Sequence, residues 1–175
     1  MPFGSISVNV SAAEFRAKTF VAGVRSALRA TGLEARFLDI ELTENVLMAN
    51  DHAVVAVLQE LKLMGIHLAV DDFGTGYSSL SYLQEFPVDV LKIDQSFVHR
   101  ITGDASESPI VGAIIDMGKN LKLRVIAEGI ETQQQLAFLQ TRHCAEGQGY
   151  IFGQPVAAAQ FAQLLKGRLD NVVLH

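Results

Sequence analysis

Val70-Asp71-Asp72-Phe73-Gly74-Thr75-Gly76-Tyr77-Ser78-Ser79-Leu80 decides how this chain is read. His67 to Asp71 has strand character, and two adjacent carboxylates stand where that strand runs out. Successive side chains of a strand point to opposite faces, so Asp71 and Asp72 share one environment only if the strand ends between them. Two neighbouring acids repel each other unless a cation or a proton lies between them. Gly74 and Gly76 then let the backbone turn tightly and approach a ligand. Taken alone, the stretch also reads as a solvated strand-end turn with an aspartate cap.

The same arrangement recurs along the chain. Alternation predicts a strand over Ser5 to Val10. Ser11 with Glu14 forms a capping-box pattern that opens a helical region to about Ala30, broken near Lys18 and ended by Gly32. Phe37 to Leu42 is the second strand, and His52 to Met64 a helix stopped by Gly65. His67 to Asp71 is the third strand, followed by a short helix over Ser79 to Gln84 before Pro87. Val90 to Ile93, Arg124 to Ala127 and Gly147 to Tyr150 complete six strands. Helices are predicted over Ile110 to Leu121, from the Thr132 cap to Leu139, and over Ala158 to Lys166. Strands that alternate with helices are parallel and joined by crossovers. Asn9, Glu41, Asp71, Lys92, Glu128 and Gln148 all fall at or near strand C-terminal ends. In a (β/α) barrel those ends form one face on which residues from several strands converge. No Gly-x-Gly-x-x-Gly follows the first strand, which disfavours a dinucleotide-binding open sheet.

Composition narrows the function classes. The 175 residues suit one domain, and with 49% hydrophobic and 19% charged residues the chain is globular. A net charge of −5 argues against binding a nucleic-acid polymer. No apolar run has membrane length. The single cysteine, Cys144, excludes an internal disulfide and reads as a small buried hydrophobe. The five histidines lack metal-ligand spacing and read as structural or solvent-facing, and Lys62 and Lys122 as solvated helix residues. One amide oxygen, at least four carboxylates and a lysine make a hard-oxygen set that suits Mg²⁺ or Mn²⁺ rather than zinc. Such a site fits hydrolysis of a phosphate ester. Glu44 and Asp51, taken singly, read as caps.

Ser7-Val8-Asn9-Val10-Ser11, Glu41-Leu42-Thr43-Glu44, the Asp71 to Leu80 stretch, Phe86 to Asp94, Ala127-Glu128-Gly129-Ile130-Glu131-Thr132, Gly147-Gln148-Gly149-Tyr150 and Phe152-Gly153-Gln154-Pro155 together resemble the EAL-domain family. These are bacterial phosphodiesterases that hydrolyse cyclic di-GMP to the linear dinucleotide. The resemblance implies a TIM-type (β/α) barrel with two divalent cations per site. Asn9, Glu41 and Asp71 resemble metal ligands, and Asp72 a ligand to the second ion. Glu128 resembles the general base, and Lys92 the lysine that orients the attacking water. Asp94, Glu131 and Gln148 match further active-site positions. Glu44 resembles the glutamate that anchors the Gly74 to Ser79 loop, which in the family couples metal binding to dimerisation. A cytoplasmic location, within a larger bacterial signalling protein, is expected.

No Glu-Ala-Leu, the tripeptide that names the family and supplies a further metal-ligating glutamate, occurs in the chain. In the family it lies on the second of two strands that precede the Ser7-Val8-Asn9 strand. Residues 1–175 therefore read as one truncated domain, about the C-terminal three-quarters of a barrel, with six strands where eight close. Met1-Pro2-Phe3-Gly4 leads almost directly into a strand, an abrupt opening. Two readings follow: a cyclic di-GMP phosphodiesterase, or an inactive EAL-like module that binds cyclic di-GMP or self-associates. An open barrel leaves unpaired edges at the Ser5 and Gly147 strands, which invite a second chain. The tail Leu169 to His175 could also cover one. Light scattering is expected to show a homodimer or other strand-edge association; a monodisperse monomer with low binding of an apolar-surface dye would contradict it.

Overall fold

The computed structural model describes residues 4–47, 52–76, 83, 85–102 and 108–168. Its strands are β1 (Ile6–Asn9), β2 (Leu38–Thr43), β3 (His67–Phe73), β4 (Val90–Ile93), β5 (Arg124–Ala127) and β6 (Glu146–Gly147). They form one parallel sheet in the order β1-β2-β3-β4-β5-β6. The helices are α1 (Ala12–Phe15), α2 (Phe20–Thr31), α3 (Glu44–Leu47), α4 (His52–Leu63), α5 (Gln95–Val98), α6 (Pro109–Leu121), α7 (Gln133–Thr141) and α8 (Ala158–Arg168). This is an incomplete TIM-type barrel.

Local chemistry sets the element ends. The Ser11 hydroxyl accepts from the Glu14 N–H, and the Glu14 carboxylate accepts from the Ser11 N–H, so the capping box forms. The expected break at Lys18 separates α1 from α2, and Gly32 closes α2 in the left-handed region, φ 68°. Thr132 and Gln135 form a second capping box at the start of α7. The sixth strand lies one residue earlier than predicted and is shorter, at Glu146–Gly147. Ser79 to Gln84, Asp51 and the Leu169 to His175 tail lie outside the described residues or largely so.

Alternation divides the sheet into two faces. Ile40, Leu42, Leu68, Val70, Leu91 and Ile93 point outward into the core shared with Leu58 and Leu61 of α4 and Val111 and Ile115 of α6. Asp39, Glu41, Asp71 and Lys92 occupy the intervening positions, point into the lumen and are buried. Lys62 is not a solvated helix residue. Its ammonium donates to both oxygens of Asp89, at 2.6 and 2.7 Å, and Asp89 also accepts from the Leu68 N–H. Spacing within α4 could not show this pair, because Asp89 comes from the turn before β4.

The sheet is open at β1. Ile6 and Val8 are 57% and 44% exposed, and no residue of α2 is buried. At the other end, the chain after β6 is held by close approach. Ile130 N–H donates to Gln148 O, Ile151 N–H donates to Ile130 O, and a Cβ at Gly149 would lie 2.2 Å from the Ile130 backbone. Gly149→Ala is therefore expected to destabilise the domain by about 1–3 kcal/mol through overpacking. Urea unfolding checks this, and an unchanged midpoint would contradict it.

Candidate active site and metal centre

Six strands deliver polar groups to one rim, and Lys92 of β4 sits at its centre, 2% exposed. Its ammonium hydrogen-bonds the Glu41 carboxylate on β2, lies 2.5 Å from Glu128 Oε1 just after β5, and lies 3.1 Å from Asp71 Oδ1 on β3. A lysine has three donors and no acceptor; it hydrogen-bonds Glu41 and Glu128, and Asp71 is held by charge attraction. Gln148, just after β6, donates from Nε2 to Glu128 Oε1 at 2.5 Å. The Asn9 amide at the end of β1 faces Glu41 Oε2 at 3.3 Å and Asp71 Oδ2 at 3.1 Å, and with its nitrogen turned inward it donates to both.

Asp71 and Asp72 meet at this rim by a route the alternation argument did not anticipate. β3 does not end between them but runs on to Phe73, and its register with β4 shifts between Val70 and Phe73. Asp72 sits at φ 53°, a left-handed conformation that aspartate tolerates better than most residues. The irregularity cancels the expected reversal of face. Oxygens of Asp71, Asp72 and Glu128 consequently lie within 4.8 Å of one another.

The electrostatics follow from this crowding. Burial raises the Asp72 carboxyl above its ordinary value, and the nearby charges of Asp71 and Asp94 raise it further. Burial likewise raises Glu128; Lys92 opposes the shift, while Asp71 and Glu41 add to it. Burial would lower Lys92, but its hydrogen bonds to Glu128 and Glu41 and the surrounding negative charge outweigh that, and its ammonium is held above the usual lysine value. Among the described residues, buried Asp71 Oδ1 has no hydrogen-bond partner; Lys92 is near enough for charge attraction but off the bonding direction. An orphaned carboxylate oxygen among acids, with an amide beside it, fits a hard divalent cation. Asp71 faces Asn9 and Glu41 on one side and Asp72 and Glu128 on the other.

The remaining candidates fall in two groups. Glu44, the first residue of α3, is 2% exposed and lies beneath the glycine turn. Its Oε2 accepts from the Gly74 N–H at 3.2 Å, and its buried Oε1 has no hydrogen-bond partner among the described residues. A plain surface cap does not describe it. Asp94 caps α5 by accepting from the Ser96 N–H and also hydrogen-bonds Asp72. Glu131 is not drawn into the Lys92 cluster. Its carboxylate lies 3.8 Å from His99 Nε2, on the wall of a cavity of about 830 Å³ that Glu128, Gln148 and Tyr150 also line. Cys144 is half-buried, and burial raises its thiol, consistent with a structural role.

Comparison with known proteins identifies the family. A family model described as "EAL domain" matches residues 2–155. The chain is 44% identical over 161 residues to the cyclic di-GMP phosphodiesterase NbdA of Pseudomonas aeruginosa, covering 92% of this chain and 21% of that protein. It is 41% identical over 156 residues to the bifunctional diguanylate cyclase/cyclic di-GMP phosphodiesterase MucR of the same organism, covering 89% of this chain and 23% of that protein. The chain thus spans about a fifth of the length of these relatives. The solved complex of the MucR phosphodiesterase with c-di-GMP superposes with a TM-score of 0.85 at 41% identity, over 90% of this chain and 64% of that one. The manganese/cy-diGMP complex of Klebsiella pneumoniae BlrP1 gives 0.78 at 31% identity, over 86% and 39%. The chain belongs to the EAL domain family.

Proposed function

We propose that this domain hydrolyses cyclic di-GMP to the linear dinucleotide with the help of two divalent cations, Mg²⁺ or Mn²⁺. The observation that carries the reading is the meeting of Asn9, Glu41, Asp71, Asp72 and Glu128 around Lys92, with Asp71 Oδ1 lacking a hydrogen bond. The names of the relatives support the substrate, and the BlrP1 complex supports the metal. Asn9, Glu41, Asp71 and Asp72 would hold the ions, which supply Lewis-acid polarisation of the phosphate and a more acidic water.

The chain's own groups do the rest. Lys92 keeps its proton and acts as a fixed positive charge, orienting water and offsetting charge that develops on the phosphoryl oxygens. Glu128, raised by burial and oriented by Lys92 and Gln148, accepts the proton of the attacking water. Asp94 orients Asp72, and Glu131 and Gln148 face the nucleotide from the β5–β6 side. Glu44 fixes the Gly74 turn, so that a change at Asp72 is passed to the following loop and to a partner copy. By its membership of the EAL domain family, we place the domain in the cytoplasmic part of a signalling protein.

A second reading, ligand binding or self-association without turnover, is favoured by the absence of Glu-Ala-Leu from the 175 residues. Cyclic di-GMP turnover with Mn²⁺ or Mg²⁺ separates the two. We expect turnover in the parent chain and a loss of at least about 100-fold in Lys92→Ala. Turnover indifferent to Lys92→Ala would contradict the role given to Lys92. Turnover seen only after the family's N-terminal strands are added would favour the second reading for this chain. Metal affinity should also depend on pH. Bound protons compete with the cation, and Asp72 and Glu128 hold theirs to higher pH than ordinary carboxyls. On acidification Mn²⁺ affinity is therefore expected to fall while the pH is still above the ordinary values of 3.8 and 4.5. Calorimetric titration from pH 7 down to pH 4.5 checks this, and affinity that stays flat over that range would contradict it.

A further inference from the structure

A second tier of polar side chains lies in the lumen beneath the rim. Asp39 of β2 is 2% exposed. Its Oδ2 accepts from Ser5 Oγ (2.5 Å), immediately before β1, and from Arg124 Nη2 (3.1 Å) on β5. Its Oδ1 lies 3.1 Å from His67 Nδ1 on β3. Arg124 Nη1 reaches Glu146 Oε2 on β6 at 3.4 Å. The links Ser5–Asp39–Arg124–Glu146 therefore run from one edge of the sheet to the other, across the lumen.

Two features join this tier to the rim. β3 and β4 separate β2 from β5, so in a flat sheet those strands would lie about 14 Å apart, with Asp39 and Arg124 projecting side by side. A 3.1 Å pair between them requires the sheet to curl. The spacings are also all even: Ser5 to Asn9, Asp39 to Glu41, His67 to Asp71, Arg124 to Glu128 and Glu146 to Gln148. Each lower residue thus stands near a rim residue on the same stretch of chain, and Ala69, Val90 and Ile126 take the corresponding positions between the tiers.

We propose that Asp39 and Arg124 are positioning residues, and that their cross-lumen clasp sets the curl that brings Asn9, Glu41 and Asp71 together for a shared cation, with Glu128 beside them. The inference rests on the metal-binding reading of the rim. An ordinary structural ion pair would contribute to stability only, and would leave metal affinity unchanged in any variant that still folds.

The test is Mn²⁺ affinity of the 1–175 chain, measured by electron paramagnetic resonance of free Mn²⁺, with circular dichroism at the same temperature as the check of folding. Arg124→Met is expected to weaken Mn²⁺ binding about tenfold, the low end for support beyond the ligands themselves. Arg124→Lys is expected to recover most of the loss. If Arg124→Met does not fold, Glu146→Gln at the solvent end of the clasp replaces it, with a smaller loss of about threefold expected. Unchanged affinity in a folded variant overturns the clasp alone. A parent chain that binds no Mn²⁺ overturns both the clasp and the metal reading beneath it.

Discussion

A lysine held in the lumen by three carboxylates is the constraint on which this structure depends. An isolated ammonium buried beside β4 would be costly, and so would Glu41, Asp71 or Glu128 without a countercharge. Together they are tolerable, because each charge lies within contact distance of an opposite one. Breaking such a group by removing one partner costs about 3–5 kcal/mol, far more than a surface pair contributes. The cluster draws on β2, β3, β4 and the residue after β5, so it forms only when those strands are curled into register. Fold and site are thus one problem: the sheet's curl brings the charges together, and the charges favour the curl.

The interior is polar at two heights and apolar outside. Outward residues such as Ile40, Leu68 and Leu91 pack under the helices, where burial of apolar area supplies the main driving force. Inward positions carry the Asp39–Arg124 tier and, above it, the Lys92 rim. A barrel lumen usually fills with branched apolar side chains in layers. Here much of that volume is given to charges that face one another, which suits the cation site proposed at the rim. The exposed Ile6 and Val8 on β1 mark where this arrangement stops.

Much of this was legible in the sequence because it depends on period and position. Strand–helix alternation gave parallel order, and polar residues at strand ends gave the rim. Gly32, Gly65 and Ser11 marked their boundaries, since each acts through its own backbone or its near neighbours. What stayed hidden depends on contacts distant in sequence or on one irregular residue. The left-handed Asp72 and its shifted register cannot be read from alternation, which assumes a regular strand. Lys62 looked solvated because its partner, Asp89, is 27 residues away, and Arg124 drew no attention because Asp39 is 85 away. The motif of Glu131 does not say where its carboxylate goes: it stands outside the Lys92 cluster, 3.8 Å from His99 Nε2, on the cavity wall shared with Glu128 and Gln148.

The rim is proposed to bind a divalent cation through acids from separate strands. Crystals grown with Mn²⁺, with anomalous scattering measured at the manganese edge, test it most directly. An anomalous peak is expected in direct contact with a carboxylate oxygen of Asp71 and with Glu41 or Asp72, close to the Asn9 amide. A map with no peak at the rim under saturating Mn²⁺, and with Lys92 still filling the space between Glu41, Asp71 and Glu128, would contradict it.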